Sequence, residues 1–328
     1  MMSNFNHKPI GGEQEIAPDS LFYGTTNSGR SSLRWALLSM NLQGKRVLLP
    51  NFICQIVVNV LNEYNIHLDF YEVKENLEFS LPDCLDDYDA LYVVKYFGHE
   101  SIAFKSVVNS SKLPLIIDSV FDVQSPDINT HVHWCQFNSL RKISFIADFS
   151  QIISNKPLLN INKARLPSFS KIKYHAKETK YNAVNLLQGN EETYLQCFSK
   201  AEIILNENKS IFEAEDRSIF LMGRFFYYLK EDLKIRQQNL IFAKSILSNS
   251  HFINITPAFP SFLPLLLSKR EDVKNELMRN SIYLAIHWPA IEQSRNILSD
   301  RLLSLPLDSR YNKEDIKRMC DIINKAEK

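Results

Sequence analysis

Along the first half of the chain, apolar residues alternate between helical spacing and short continuous runs. Leu33, Leu37 and Met40 recur with a helical period and predict a helix over 31–40. Residues 46–50 read as a short buried strand, 52–64 as a helix and 67–73 as an extended segment. The alternation continues through 90–96, 101–109, 113–118 and 133–138. Strands interleaved with helices predict an α/β fold with a mainly parallel sheet covered by helices, and a ligand site at the carboxyl ends of the strands.

After Gln151 the texture becomes helical and rich in Lys, Glu and Asn, with long helices expected over 171–187 and 212–247. A proline-flanked strand over 259–267, a helix over 271–280 and an amphipathic final helix over 313–326 complete the pattern. Three parts are expected. Residues 1–20 form a polar arm, marked by Gly11, Gly12 and Pro18, that lies over a partner or the site mouth. Residues 21–234 form a large domain with a helical bridging region, and 235–328 a smaller α/β domain.

Composition changes this picture little. At 328 residues the chain is long enough for one large domain and a companion. Its 45% hydrophobic and 23% charged content is that of a globular protein. A net charge of +1 gives no support to nucleic-acid binding. The start Met-Met-Ser-Asn-Phe-Asn has no charged leader followed by an apolar core, and no apolar run approaches a membrane span, so a cytoplasmic, non-membrane protein is expected. Cys54, Cys84, Cys135, Cys197 and Cys320 are odd in number and lack CxxC spacing, which points to reduced thiols and no metal site.

Candidate chemistry concentrates in one stretch. The apolar run 114–117 delivers Asp118 to a strand end, and 24 residues later Asn138-Ser139-Leu140-Arg141-Lys142 delivers a lysine. Such a pair is common in soluble proteins, and its neighbours give it meaning. Seven blocks occur in order: Ser28-Gly29-Arg30-Ser31-Ser32-Leu33 opening a helix; Val47-Leu48-Leu49-Pro50 with Cys54 soon after; Tyr96-Phe97-Gly98; Ile117-Asp118; Ser139-Leu140-Arg141-Lys142; Ile286-His287-Trp288-Pro289; and 303–311, from Leu303 to Tyr311. In these blocks the chain resembles the DegT/StrS-type sugar aminotransferases, enzymes of fold type I that depend on pyridoxal 5'-phosphate.

The resemblance implies roles for particular residues. Lys142 is expected to bond covalently to the cofactor aldehyde and then, as a free amine, to carry a proton between the donor's α-carbon and the cofactor. Asp118 is expected to keep the pyridine nitrogen protonated, although an aspartate at a strand end also serves as a cap. The cofactor phosphate falls to Gly29 and Arg30 at a helix amino terminus, where free N–H groups and the helix dipole favour anions. Ser139 adds a hydroxyl, though relatives carry that serine two positions earlier, where Phe137 stands here. Strict register puts Cys54 at the cofactor ring, while Phe52 is the better stacking group. Trp288 and Arg310 are expected either to hold the substrate's sugar and anionic groups or to pack the domains.

Two departures stand out: Phe121 where relatives have glutamine or histidine, and Phe149-Ser150 after Asp148 where many have glycines. The implied function is amino transfer, with glutamate the expected donor, to a keto group on a nucleotide-linked sugar that feeds surface polysaccharides or glycoconjugates, in a homodimer. A dehydratase of the same fold replaces the lysine, which Lys142 argues against. A non-catalytic homologue acting as a binding or scaffold protein is the rival from a different class, and the two phenylalanines favour it.

Overall fold

The computed structural model describes residues 12–124 and 127–328, so the first part of the expected arm lies outside the described residues. Residues 13–21 have no regular secondary structure, and the chain enters the sheet with β1 (Phe22–Thr26). The helix α1 (Gly29–Ser39) follows, then β2 (Arg46–Pro50), α2 (Gln55–Glu63), β3 (His67–Tyr71), β4 (Ala90–Val94), α3 (Ile102–Ser110), β5 (Leu115–Asp118) and β6 (Trp134–Phe137). A short turn of helix, α4 (Leu140–Ile143), leads to β7 (Ser150–Ser154).

These strands form one seven-stranded sheet in the order β1-β7-β6-β5-β4-β2-β3. β2 to β6 run parallel, while β7 pairs antiparallel with both β6 and β1. β4 and β5 are buried along their whole length, as a strand covered on both faces requires, and their residues are accordingly Ala, Leu, Ile, Val and one tyrosine before Asp118. β1 and β7 were not legible as strands, because Gly24 and the flanking serines of β7 weaken the apolar run. The sequence pattern puts helices directly after Gln151, whereas the pairing of β7 with β6 and β1 extends the sheet there by two strands. Gly24 has a packing reason: a Cβ at that position would meet the Trp35 ring at 2.3 Å.

Beyond the sheet, α5 (Pro167–Asn185) and α6 (Glu191–Glu207) form a hairpin with a small core of Phe169, Ala201 and Leu205. The 31-residue α7 (Asp216–Ile246) then runs to a two-stranded antiparallel unit, β8 (Phe262–Leu266) and β9 (Leu302–Pro306), flanked by α8 (Arg270–Arg279), α9 (Ile297–Arg301) and α10 (Lys313–Ala326). α10 starts on a capping box in which Asn312 and Asp315 exchange side-chain and backbone hydrogen bonds. Residue 235 lies inside α7, so one continuous helix joins the two expected domains.

Asp148 anchors the loop between α4 and β7. Its carboxylate accepts hydrogen bonds from the Ser170 hydroxyl of α5 (2.9 Å), the Ser218 hydroxyl of α7 and the Glu215 N–H (3.0 Å). Asp148→Ala should cost about 2–4 kcal/mol, because three buried donors lose their acceptor. Burial pushes the carboxyl from 3.8 up to about 6. The folded state therefore holds this proton more tightly than the unfolded one, and the parent loses stability as pH rises between those values. Denaturant melts across that range should show a lower midpoint for Asp148→Ala and loss of that part of the slope. An unchanged midpoint would remove Asp148 as an anchor.

Candidate active site

Parallel neighbours set the first contact. Asp118 at the end of β5 is in register with Phe137 at the end of β6, so the segment leaving β6 starts beside Asp118 and turns into α4, which carries Lys142. Asp118 is 4% exposed. Its Oδ2 accepts from the Tyr92 hydroxyl at 2.7 Å and its Oδ1 from the Val120 N–H at 3.1 Å. Burial raises its pKa, and the Tyr92 hydroxyl, the Val120 N–H and the charge of Lys142 oppose that rise.

Lys142 lies in a short helix rather than a loop, with its N–H bonded to the Ser139 carbonyl at 3.0 Å. Its amine stands over the Phe121 ring, 5.2 Å from the centroid. Dense protein around the amine lowers its pKa and Arg141 adds to that, while Cys54, Asp118 and Glu202 work the other way. Solvent still reaches the side chain, which is exposed. The combination is an amine that loses its proton more readily than an ordinary lysine, facing a carboxylate across the strand ends.

Ser28 caps α1 by accepting from the Ser31 N–H, and Gly29 and Arg30 form its first turn. A Cβ on Gly29 would make ordinary contacts with Phe137 and Val120, so sterics alone do not demand glycine. Arg30 turns towards the α5–α6 hairpin, where its Nη2 donates to Glu202 at 3.1 Å. The same carboxylate accepts from Arg141 Nη1 at 2.8 Å and Lys173 Nζ at 2.7 Å. Three cations thus share one anion. Burial and the neighbouring Arg141 bring the Arg30 guanidinium down to about 10. Four buried polar atoms of this neighbourhood have no partner: Asn27 Nδ2, Arg30 Nη1, Ser139 Oγ and Arg141 Nε. Unpaired donors of this kind are costly unless an anion or water meets them. The residues therefore fit a phosphate group, with Lys142 and Asp118 beside it for the rest of a pyridoxal cofactor.

The aromatic candidates are arranged differently from their sequence order. Phe52 is fully buried, with its ring 5.3 Å from those of both Tyr96 and Trp288. Trp288 is 6% exposed and packs edge-on against Phe97 and Phe121. His287 joins this cluster, bonds Ser304 Oγ at 2.8 Å, and is held at about 3 by burial and by the charge of Lys142. Cys54 is half-buried at the N-cap of α2, within electrostatic reach of Lys142 and Arg30. Arg310 is exposed and tied to Asp308 by two bonds of 2.6 and 2.9 Å. The structure brings Lys142, Asp118, Arg30, Ser139 and Cys54 to one neighbourhood, while Phe52 and Trp288 form the packed layer behind Phe121. Phe149 is buried, and its carbonyl accepts the Leu140 N–H at the start of α4.

Sequence reasoning missed Tyr92, Lys173 and Glu202, and treated Arg141 only as a neighbour. Tyr92 had a readable signal, since a tyrosine in an otherwise apolar buried strand needs a partner for its hydroxyl. Lys173 and Glu202 had none, being ordinary charges on Lys/Glu-rich helices. Two surface cavities, one lined by Phe22, Trp35 and Leu158 and one by Asp272, Glu276 and Arg279, hold none of this chemistry.

No protein-family model and no curated protein matches the sequence. Solved structures match its fold. DesV of S. venezuelae is 13% identical and matches with a TM-score of 0.64 over 93% of this chain and 85% of that one. A DegT/DnrJ/EryC1/StrS aminotransferase of Brucella abortus is 12% identical, with a TM-score of 0.66 over 93% and 86% of the two chains. DesI, solved with its TDP-sugar product, is 11% identical, with a TM-score of 0.60 over 92% and 80%. These superpositions establish that this chain, with its seven-stranded, mostly parallel sheet, has the α/β fold of those aminotransferases.

Proposed function

We propose that this chain is a pyridoxal-phosphate-dependent aminotransferase that moves an amino group from an amino acid, with glutamate the expected donor, to the keto group of a nucleotide-linked sugar. The observation that carries the proposal is the placement of Lys142 beside Asp118 next to a cradle of cations with unpaired donors. Bound there, the cofactor supplies an aldehyde for the migrating amino group and a ring that withdraws electrons from the donor's α-carbon.

The chain's own residues do the rest. Asp118, whose charged form accepts from the Tyr92 hydroxyl and the Val120 N–H, keeps a proton on the ring nitrogen. Lys142, with its lowered pKa, takes a proton at the donor's α-carbon and returns it. Gly29, Arg30, Ser139, Arg141 and Lys173 hold the phosphate. Cys54 flanks the ring, and Phe52 backs it through Tyr96 and Trp288. Trp288 and Arg310 keep a proposed substrate role, Trp288 by shaping the wall and Arg310 by offering a guanidinium at the exposed rim.

A place in surface polysaccharide or glycoconjugate biosynthesis, and in the cytoplasm, belongs to the same proposal. Among the described residues no helix is long and apolar enough to cross a membrane. The division at residues 234 and 235 is proposed as a functional boundary within α7. A homodimer is supported by Phe220, Tyr227 and Ile241, which stand exposed on α7 at multiples of seven residues and so near one face of the helix. The second reading is a non-catalytic homologue, favoured by Phe121, whose ring offers the cofactor no hydrogen bond where relatives carry a polar side chain.

Incubation with pyridoxal phosphate, borohydride reduction and peptide mapping test the reading directly. A pyridoxyl group on Lys142 is expected. A folded protein without that modification would sink the enzyme reading in favour of the non-catalytic one.

A further inference from the structure

Glu202 comes from the α5–α6 hairpin, 172 residues from Arg30, yet it touches three cations of the cradle at once. Arg30 and Arg141 are mostly buried, and burial together with the nearby charge of Arg141 weakens the hold of Arg30 on its proton. One carboxylate against Arg30, Arg141 and Lys173 leaves two positive charges unbalanced, and Arg30 Nη1 and Arg141 Nε remain without acceptors. Burial works against ionisation of Glu202, but the charges of Arg141, Lys173 and Arg30 hold its carboxyl well below the usual carboxylate range.

We infer that Glu202 is an internal counter-anion of the phosphate cradle, a positioning residue that competes with an incoming phosphate for Arg30, Arg141 and Lys173 and matches the cradle to a doubly charged anion. The inference rests on the reading that the cofactor phosphate binds at α1. Its physical basis is charge balance. With Glu202 in place the three cations present a surplus of two, which a phosphate dianion neutralises; without it the surplus is three. The role differs from that of a structural clasp, in which Glu202 would order the guanidinium groups and its loss would weaken anion binding.

The test measures binding of inorganic phosphate by calorimetry at a pH where it is dianionic, in the full-length parent, Glu202→Gln and Lys173→Met. Glu202→Gln should bind phosphate at least about ten-fold more tightly, because a charge about 3 Å from the donors is removed. Lys173→Met should bind it at least about ten-fold more weakly. Noncovalent binding of pyridoxal phosphate, followed in a Lys142→Ala background, should move in the same directions. Weaker or unchanged phosphate binding in a folded Glu202→Gln protein overturns the inference. Should that variant not fold, Lys173→Met decides, and unchanged binding there overturns it equally. Borohydride mapping separates the two claims. A tightened Glu202→Gln without a pyridoxyl group on parental Lys142 keeps the anion cradle and rejects the enzyme, whereas a labelled Lys142 with unchanged phosphate binding does the reverse.

Discussion

Lys142→Ala should abolish amino transfer, with a loss of at least about 10³-fold in the rate, while the protein remains folded. Both expectations come from the same geometry. The amine is the group placed beside Asp118 that can both bond an aldehyde and move a proton, so its removal takes away two steps. The fold has little to lose. Lys142 is exposed, and its lowered pKa means that its charged form is not favoured by its surroundings. Alanine is also a good helix former at the third position of α4. Single-turnover conversion of the cofactor by glutamate, read by absorbance beside a melting curve, checks the prediction. A parental rate in a folded variant would remove the central claim of the mechanism.

Asp118→Asn should slow the same half-reaction by about 10²–10³-fold, because a neutral amide cannot hold a proton on the ring nitrogen. The swap is nearly isosteric. The amide oxygen can still accept the Val120 N–H, and the amide nitrogen can donate to Tyr92 Oη, which accepts as well as donates. Stability should therefore hold or rise. Burial raises the Asp118 pKa above 3.8, so the folded parent binds that proton more tightly than the unfolded chain. The cost of the charged form then sets in as pH rises above that region. Asp118→Asn should melt at or above the parental temperature at neutral pH, with the gain shrinking in acid. A variant that reacts at the parental rate would show that Asp118 serves only the fold.

These two substitutions act at positions that the linear pattern already exposed. Asp118 and Lys142 were legible through the neighbouring blocks that resemble the sugar aminotransferases; each also follows a buried strand, and strand ends in an open α/β sheet are where ligands meet the chain. The helices over α1, α5, α7 and α10 and the strands β2 to β6 were legible for a related reason. Burial on one face or on both leaves a periodic mark that neighbouring residues share. β7 and β1 left a weaker mark, since Gly24 interrupts β1 and β7 has only Ile152 and Ile153 as apolar residues.

What the sequence by itself determined was thus the local layer: alternating elements, the amide donors at the start of α1, and a lysine and an aspartate delivered to strand ends. Tertiary structure decided which strands are neighbours, the reversal of β7, and the burial of Phe52 and Trp288 together behind Phe121. It also decided that Glu202 and Lys173, surface-like charges in their own helices, close over Arg30 and Arg141. The physical reason is range. Hydrophobic periodicity is written over a few residues, whereas an ion pair depends only on distance in space, and nothing in a lysine-rich helix marks the one lysine that a distant carboxylate will hold.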